Sequence, residues 1–286
     1  MQYVAPSTLD EAVSAYAAAN GDGRILAGGT DLLVQMRAGM VTPGLIVDIK
    51  NVAEMTSIEE TSDGGFVVGA AVSGAVLEEH PKFGSVWPGV LEALNLIGST
   101  HVQGRASAGG NLCNGSPAAD SVPALIAAGA IATVQGPTGR REIAVEDVPT
   151  GPGSTSLAPG EILVSFTFPP RPPGSSDAYL RMIPRTEMDI AVVGVGVSLT
   201  LEDGVCTAAR VGLGAVAPTV LLVEDAANAL IGSKLDDAAI EAAAAACSAA
   251  CNPIDDKRGT IAYRTKVAGV LLKRTADIAA NRARGA

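Results

Sequence analysis

The stretch Arg24-Ile25-Leu26-Ala27-Gly28-Gly29-Thr30-Asp31-Leu32-Leu33-Val34-Gln35-Met36-Arg37 reads as a short strand, a glycine turn and the start of a helix. Gly39 ends that helix, and Leu45-Ile46-Val47-Asp48-Ile49 follows as another strand. A strand–loop–helix–strand order places the two glycines at a helix N-terminus, where free amides and the helix dipole favour an anion. Glycine also lets backbone N–H groups approach anionic oxygens with no side chain in the way.

One such turn means little in a chain with 33 glycines. A second, Ser107-Ala108-Gly109-Gly110-Asn111, lies some eighty residues on, again with hydroxyl and amide neighbours. Two turns of this kind can grip a diphosphate from both sides, so the pair reads as a flavin dinucleotide site. The second continues through Asn114, Gly115, Ser116, Pro117 and Asp120, a run of small and polar residues. Serine and asparagine side chains suit phosphate and sugar oxygens, and an ionised Asp120 suits a hydroxyl donor because it only accepts. The same residues also fit plainer roles. Asp120 could cap a helix beginning near Ser121, and Asn114-Gly115 could form an ordinary turn.

Outward from these turns, Thr8-Leu9-Asp10-Glu11 is a capping box opening a helix with Leu9, Val13, Tyr16 and Ala17 on one stripe, and Asn20-Gly21 closes it. From Glu54 to Thr167 the pattern turns to short strands (Phe66–Ala70, Ile131–Val134, Ile162–Phe166) and helices near 89–97 and 122–128. Pro169-Pro170-Arg171-Pro172-Pro173-Gly174-Ser175-Ser176 is the clearest linker and the expected domain boundary. Beyond it come three strands (178–183, 191–201, 205–215) in an antiparallel meander, then helices near 221–231, 236–250 and 261–283.

At 286 residues the chain is long enough for two domains. Its 48% hydrophobic content with only 3% aromatics calls for a core of Ala, Val, Leu and Ile. Few stacking side chains and a net charge of −10 argue against a nucleic-acid partner. No apolar run is long enough to span a membrane, and the N-terminus lacks a basic segment followed by an apolar one, so a cytoplasmic protein is expected. Four cysteines (Cys113, Cys206, Cys247, Cys251) suit a reducing compartment, and Cys247 and Cys251, four apart on a helix face, read as buried thiols. From Lys257 onward eight basic residues meet one acid, Asp277, which reads as a solvated helix rather than a docking face.

Other chemistries lack their residues. No P-loop sequence occurs, and there is no Cys-x-x-Cys, no serine nucleophile elbow and no plain Cys–His pair. With only His80 and His101, metal ligation has little support. Gly212-Leu213-Gly214-Ala215-Val216-Ala217 matches a dinucleotide fingerprint, but Pro218 follows and no ribose-binding acid ends a second strand, so it reads as a strand bulge.

The run Ala106 to Asp120 resembles the FAD loop of the medium subunits of the molybdenum hydroxylase family, which includes carbon monoxide dehydrogenase medium subunits and the flavin domain of xanthine dehydrogenase. Leu26 to Leu32 is similar to the family's other FAD loop, and Pro184-Arg185-Thr186-Glu187-Met188-Asp189-Ile190-Ala191 to a third signature. The resemblance spans essentially the whole chain. It implies an α+β fold: a two-part FAD-binding domain of the vanillyl-alcohol oxidase / p-cresol methylhydroxylase type over residues 1–172 (a βαβ-like part, 1–53, and a mixed-sheet part, 54–172). A C-terminal domain, 177–286, would carry a three-stranded antiparallel sheet and a three-helix bundle.

By the same resemblance, Leu26, Ala27, Gly28, Gly29, Thr30, Asp31 and Leu32 wrap the FAD diphosphate. Ser107, Gly109, Gly110, Asn111, Asn114 and Ser116 oppose them, and Asp120 holds ribityl or ribose hydroxyls. Arg181 falls where relatives have a flavin-contacting lysine, and Leu163, with Ile162, matches a strand near the ring system. The chain departs from the family at His101-Val102-Gln103-Gly104, where Gln-Ile-Arg-Asn is frequent, and at Thr186, where a second arginine is frequent.

The implied function is electron transfer. FAD on this chain would take electrons from [2Fe-2S] clusters of a small subunit, fed by a large molybdenum-cofactor subunit, and pass them to an external acceptor. No side chain of this chain is expected to act as a catalytic residue or metal ligand. A stand-alone flavoprotein reductase and a flavin-less scaffold subunit are the alternatives. The first would need its own acids and bases, and the second would be expected to have lost the glycines.

Overall fold

A computed structural model describes residues 1–285. Three short strands, Gln2–Val4, Leu45–Asp48 and Gly23–Leu26, form an all-parallel sheet with Leu45–Asp48 in the centre. The helix Leu9–Ala18 connects the outer two, and its capping box forms as expected from Thr8 and Glu11. It ends where Asn20 and Gly21 both take positive φ, 47° and 89°. Strand Gly23–Leu26 then runs into the first glycine turn, which opens the helix Leu32–Arg37.

A five-stranded antiparallel sheet follows, in the order Ile58–Glu60, Phe66–Gly69, Ile162–Phe168, Ile131–Gly136, Gly139–Ala144. One continuous apolar cluster joins both sheets and the helices between them. The scarce aromatics gather in it: Phe66, Phe83 and Phe168 meet edge to face at 5.2–5.3 Å, and Trp87 lies 5.8 Å from Phe168.

The C-terminal sheet pairs Ser175–Met182, Val193–Glu202 and Val205–Gly214 as an antiparallel meander, extended by the two-residue strand Leu221–Leu222. Helices Glu224–Leu230, Asp237–Ala250 and Ile261–Ala283 cover one face around a second apolar cluster. Among the described residues, no helix is long and apolar enough to cross a membrane.

Three sequence readings change here. The segment 169–176 was expected as a plain linker, but Arg171 lies 3.8 Å over the Trp87 ring and 3.0 Å from the Asp177 carboxylate, with its side chain nearly buried. The proline-rich stretch is pinned at its middle. The basic tail is not merely solvated: Arg264 is buried and donates to the carbonyls of Val192 and Ala215, while Arg258, Lys273 and Arg282 pair with Asp189, Glu241 and Glu92.

The expected bulge at 212–214 is regular strand, with Gly212 opposite Gly196 and Gly214 opposite Gly194. Its glycines answer to packing. A Cβ on Gly212 would lie 2.3 Å from the Pro123 carbonyl oxygen and one on Gly196 2.6 Å from it, so the helix Ser121–Ala127 rests directly on bare sheet backbone.

Gly212→Ala is therefore expected to lower the melting temperature by several degrees, since overpacking a rigid contact costs about 1–3 kcal/mol. Gly74→Ala is the control, because its Cβ would meet nothing closer than 3.6 Å. Equal melting points for the two variants would contradict this account of the contact.

Candidate functional site

The two glycine turns face each other across a cavity of about 650 Å³, within the size range of small-molecule and cofactor sites. Their approach is made by backbone. A Cβ on Gly28 would fall 1.9 Å from the Arg105 carbonyl oxygen, so the first turn lies directly against the chain entering the second. Gly29 has φ +77°, a conformation that favours glycine. Among the described residues, the amides of Gly28, Gly29, Thr30, Asp31 and Leu32 find no acceptor within the chain. All five residues line the cavity, and successive free donors beside a helix start suit an anion.

The second turn differs from the expected loop. Gly109 and Gly110 belong to the first turn of a helix, Ala108–Cys113, because the Ser107 hydroxyl caps it by accepting from the Gly110 amide at 3.1 Å. Gly109 is squeezed against the backbone just past strand Phe66–Gly69, its Cβ position 2.4 Å from the Ala70 carbonyl oxygen. Gly110 is open, with only Ser107 Oγ, at 3.3 Å, within contact of a Cβ. One glycine thus holds the helix to the sheet, and the next leaves room on the cavity side.

Side-chain donors surround this cradle. Asn111 Oδ1 accepts from both the amide and the hydroxyl of Ser121 at 3.1 and 2.7 Å, leaving the amide nitrogen of Asn111 without a partner. Asn114 Oδ1 accepts from Gln35 Nε2 at 2.9 Å. Burial pushes the Asp31 carboxyl above its ordinary range. Ile97, Leu157, Ile162 and Leu163 add apolar lining to the same cavity. A ligand that joins a diphosphate to a flat apolar ring fits these groups.

Of the residues expected from sequence, Ala27, Gly28, Gly29, Thr30, Asp31, Leu32, Ser107, Gly109, Gly110, Asn111, Asn114 and Leu163 line the cavity. Leu26, Ser116, Asp120 and Arg181 are not on its wall. Ser116 Oγ instead accepts from the Ala118 amide at 3.2 Å. Asp120 stands at the start of its helix without capping it, and its carboxylate is held from both sides. Arg181 donates to Oδ2 at 2.7 Å and the Tyr179 hydroxyl to Oδ1 at 3.0 Å. Arg181 and Tyr179 alternate on one face of strand Ser175–Met182, so the pair ties that strand to the cavity-bearing half of the chain.

Tyr16, Arg24, Met40 and the segment 153–159 also line the cavity but were not anticipated. Tyr16 had been counted in a helical core stripe, and residues 153–159 carry only turn signals. Cys113 opens onto the cavity, and desolvation by the surrounding protein pushes its thiol up to about 12. It is therefore an uncharged wall group. Cys247 is buried as expected, Cys251 is only half-buried, and Cys206 is buried as well.

The family described as "FAD binding domain in molybdopterin dehydrogenase" matches residues 1–171, and "CO dehydrogenase flavoprotein C-terminal domain" matches residues 178–279. The carbon monoxide dehydrogenase medium chain of Afipia carboxidovorans is 34% identical over 99% of this chain and 97% of its own length. The xanthine dehydrogenase FAD-binding subunit of Escherichia coli O157:H7 is 32% identical over 84% of this chain and 82% of its own. A solved structure of reconstituted CO dehydrogenase from Oligotropha carboxidovorans superposes with a TM-score of 0.95 at 32% identity, covering 99% of this chain and 98% of that one.

Two measurements probe this geometry. Gly110→Val should fold and lose FAD, because its side chain enters open space, whereas Gly28→Ala should disturb the fold itself through the Arg105 carbonyl. Undiminished FAD content in folded Gly110→Val would remove the second turn from the site. The second concerns Asp120, whose carboxyl is pushed up to about 6 by burial, against the opposing pull of Arg181 and Tyr179. An unfolded aspartic acid titrates near 3.9, so the folded chain holds this proton more tightly between about pH 4 and 6. The contribution to stability is then full below that window and lost as pH rises through it. Wild type should lose more melting temperature than Asp120→Asn on going from pH 5 to 7; parallel curves would mean that Asp120 titrates normally.

Proposed function

This chain belongs to the FAD-binding medium-subunit family of the molybdopterin dehydrogenases, and we propose that its cavity holds FAD with the diphosphate between the two glycine turns. The chain is the FAD-binding electron-transfer subunit of an oxidoreductase complex of the molybdenum hydroxylase type. The observation that carries the site assignment is the run of five amides, Gly28 to Leu32, without an acceptor in the chain and on the same cavity as the open Gly110.

In this reading each residue type has its task. The five amides meet phosphate oxygens at the start of the helix Leu32–Arg37. The Ser107 hydroxyl and the free amide nitrogens of Asn111 and Asn114 donate from the opposite side. Leu163 and Ile162 form the dry wall for a flavin ring. Leu26 and Ser116 shape the turns from behind. Asp120 and Arg181 act as one fixed pair, with the carboxylate holding the guanidinium in place. When bound, FAD supplies the redox chemistry that no side chain here provides, and the protein sets its position and electrostatics.

The finer partners follow from that division of labour. We assign the electron donor to a small subunit with [2Fe-2S] clusters and substrate oxidation to a large subunit with the molybdenum cofactor, the assembly working in the cytoplasm, where the four free thiols would stay reduced. Residues 1–172 and 177–286 are proposed as the two domains, and the separate apolar clusters around the two groups of sheets support that division.

The test is the visible spectrum of the purified chain and identification of what acid releases from it. Oxidised-flavin bands and released FAD are expected. A colourless, folded chain that also refuses added FAD would overturn the assignment.

A further inference from the structure

The cavity has a cross-tie that no sequence signature contains. Gln35 lies on the helix that the first glycine turn opens, and its side chain reaches Asn114, at the end of the helix that carries the second turn. Gln35 Nε2 donates to Asn114 Oδ1 at 2.9 Å across a sequence separation of 79 residues. Both residues line the cavity beside the unpaired amides of the first turn.

The bond has a direction, and direction matters here. A primary amide has an accepting oxygen and a donating nitrogen on opposite sides of one carbon. With its oxygen occupied by Gln35, Asn114 turns its NH2 away from Gln35, and that group has no partner among the described residues. Asn111 is oriented in the same sense by the buried Ser121, which occupies its oxygen twice. Both asparagines are therefore fixed as donors, the polarity that an anion requires. A reversed Asn114 would present a carbonyl oxygen to the same space and repel phosphate.

We propose that Gln35 is a positioning residue for the diphosphate: it fixes Asn114 with its donor end toward the cavity and ties the two glycine turns into one binding ring. This rests on the FAD reading of the cavity. Gln35 acts through Asn114 and the spacing of the turns, and its contribution belongs to the diphosphate of the ligand rather than to the flavin ring.

The experiment uses the full chain stripped of bound ligand, with FAD and riboflavin as separate probes. Gln35→Leu removes the donor at similar volume. Gln35→Glu offers only acceptors at neutral pH, so Asn114 must reverse to satisfy it. FAD affinity should fall several-fold in Gln35→Leu and by about tenfold or more in Gln35→Glu, as for loss of a charge-assisted donor. Riboflavin, which has no phosphate, should bind both variants as it binds wild type.

Asn114→Asp should weaken FAD to the same degree as Gln35→Glu, because it places a permanent acceptor at the reversed position. Unchanged FAD affinity in both Gln35 variants would overturn the proposal. So would equal losses of FAD and riboflavin with a lowered melting point, which would mark Gln35 as structural only. Wild type binding neither probe would instead bring down the FAD reading beneath it.

Discussion

Everything at the site depends on the carbonyl of Arg105 lying where a side chain at residue 28 would begin. The first turn meets the chain entering the second backbone to backbone, with no side chain between them. That contact fixes their spacing, and the spacing sets how wide a group can lie between them. Amides that would otherwise pair with a neighbouring loop are left free along one wall. Half-exposed amides without a partner in the chain are open to an anion, and the start of the helix Leu32–Arg37 favours one.

The same device sets the two parts of the chain against each other. Gly196, Gly212 and Gly214 clear a path for Pro123, so the helix Ser121–Ala127 lies on the C-terminal sheet at backbone distance. Polar groups lock the seam. Arg210 donates to the Ile126 carbonyl at 2.9 Å and pairs with Glu146, while Asp120 takes Arg181 and Tyr179. Ser121, at the start of that helix, also holds Asn111 on the cavity wall. A shift of the C-terminal sheet would thus reach the site through one short helix.

Much of this was legible because local rules and tertiary packing agree. The capping box at Thr8 and Glu11, the first glycine turn and the final helix from Ile261 to Ala283 all follow from caps, breakers and periodicity. The paired turns also pointed to a diphosphate before any geometry was known. Contacts between distant segments were not legible. Nothing local says that Gly109 is pressed on Ala70 while Gly110 is open, or that Tyr16, on its helix stripe against the core, also borders the cavity. The Gly-x-Gly-x-x-Ala run looked like a bulge because its glycines are explained by Pro123, roughly ninety residues earlier. Asp120 and Arg181 were matched to relatives singly, and only the fold reveals them as partners.

The connection between the two parts carries a last consequence. A proline-rich stretch suggests a seam at which parts from different relatives might be exchanged freely. Here its central arginine is held between an indole ring from one part and a carboxylate from the other. Trp87, Arg171 and Asp177 therefore form one unit of inheritance. A chimera joined anywhere along this stretch works only when all three come from a common parent, and divergence at one of them constrains the other two.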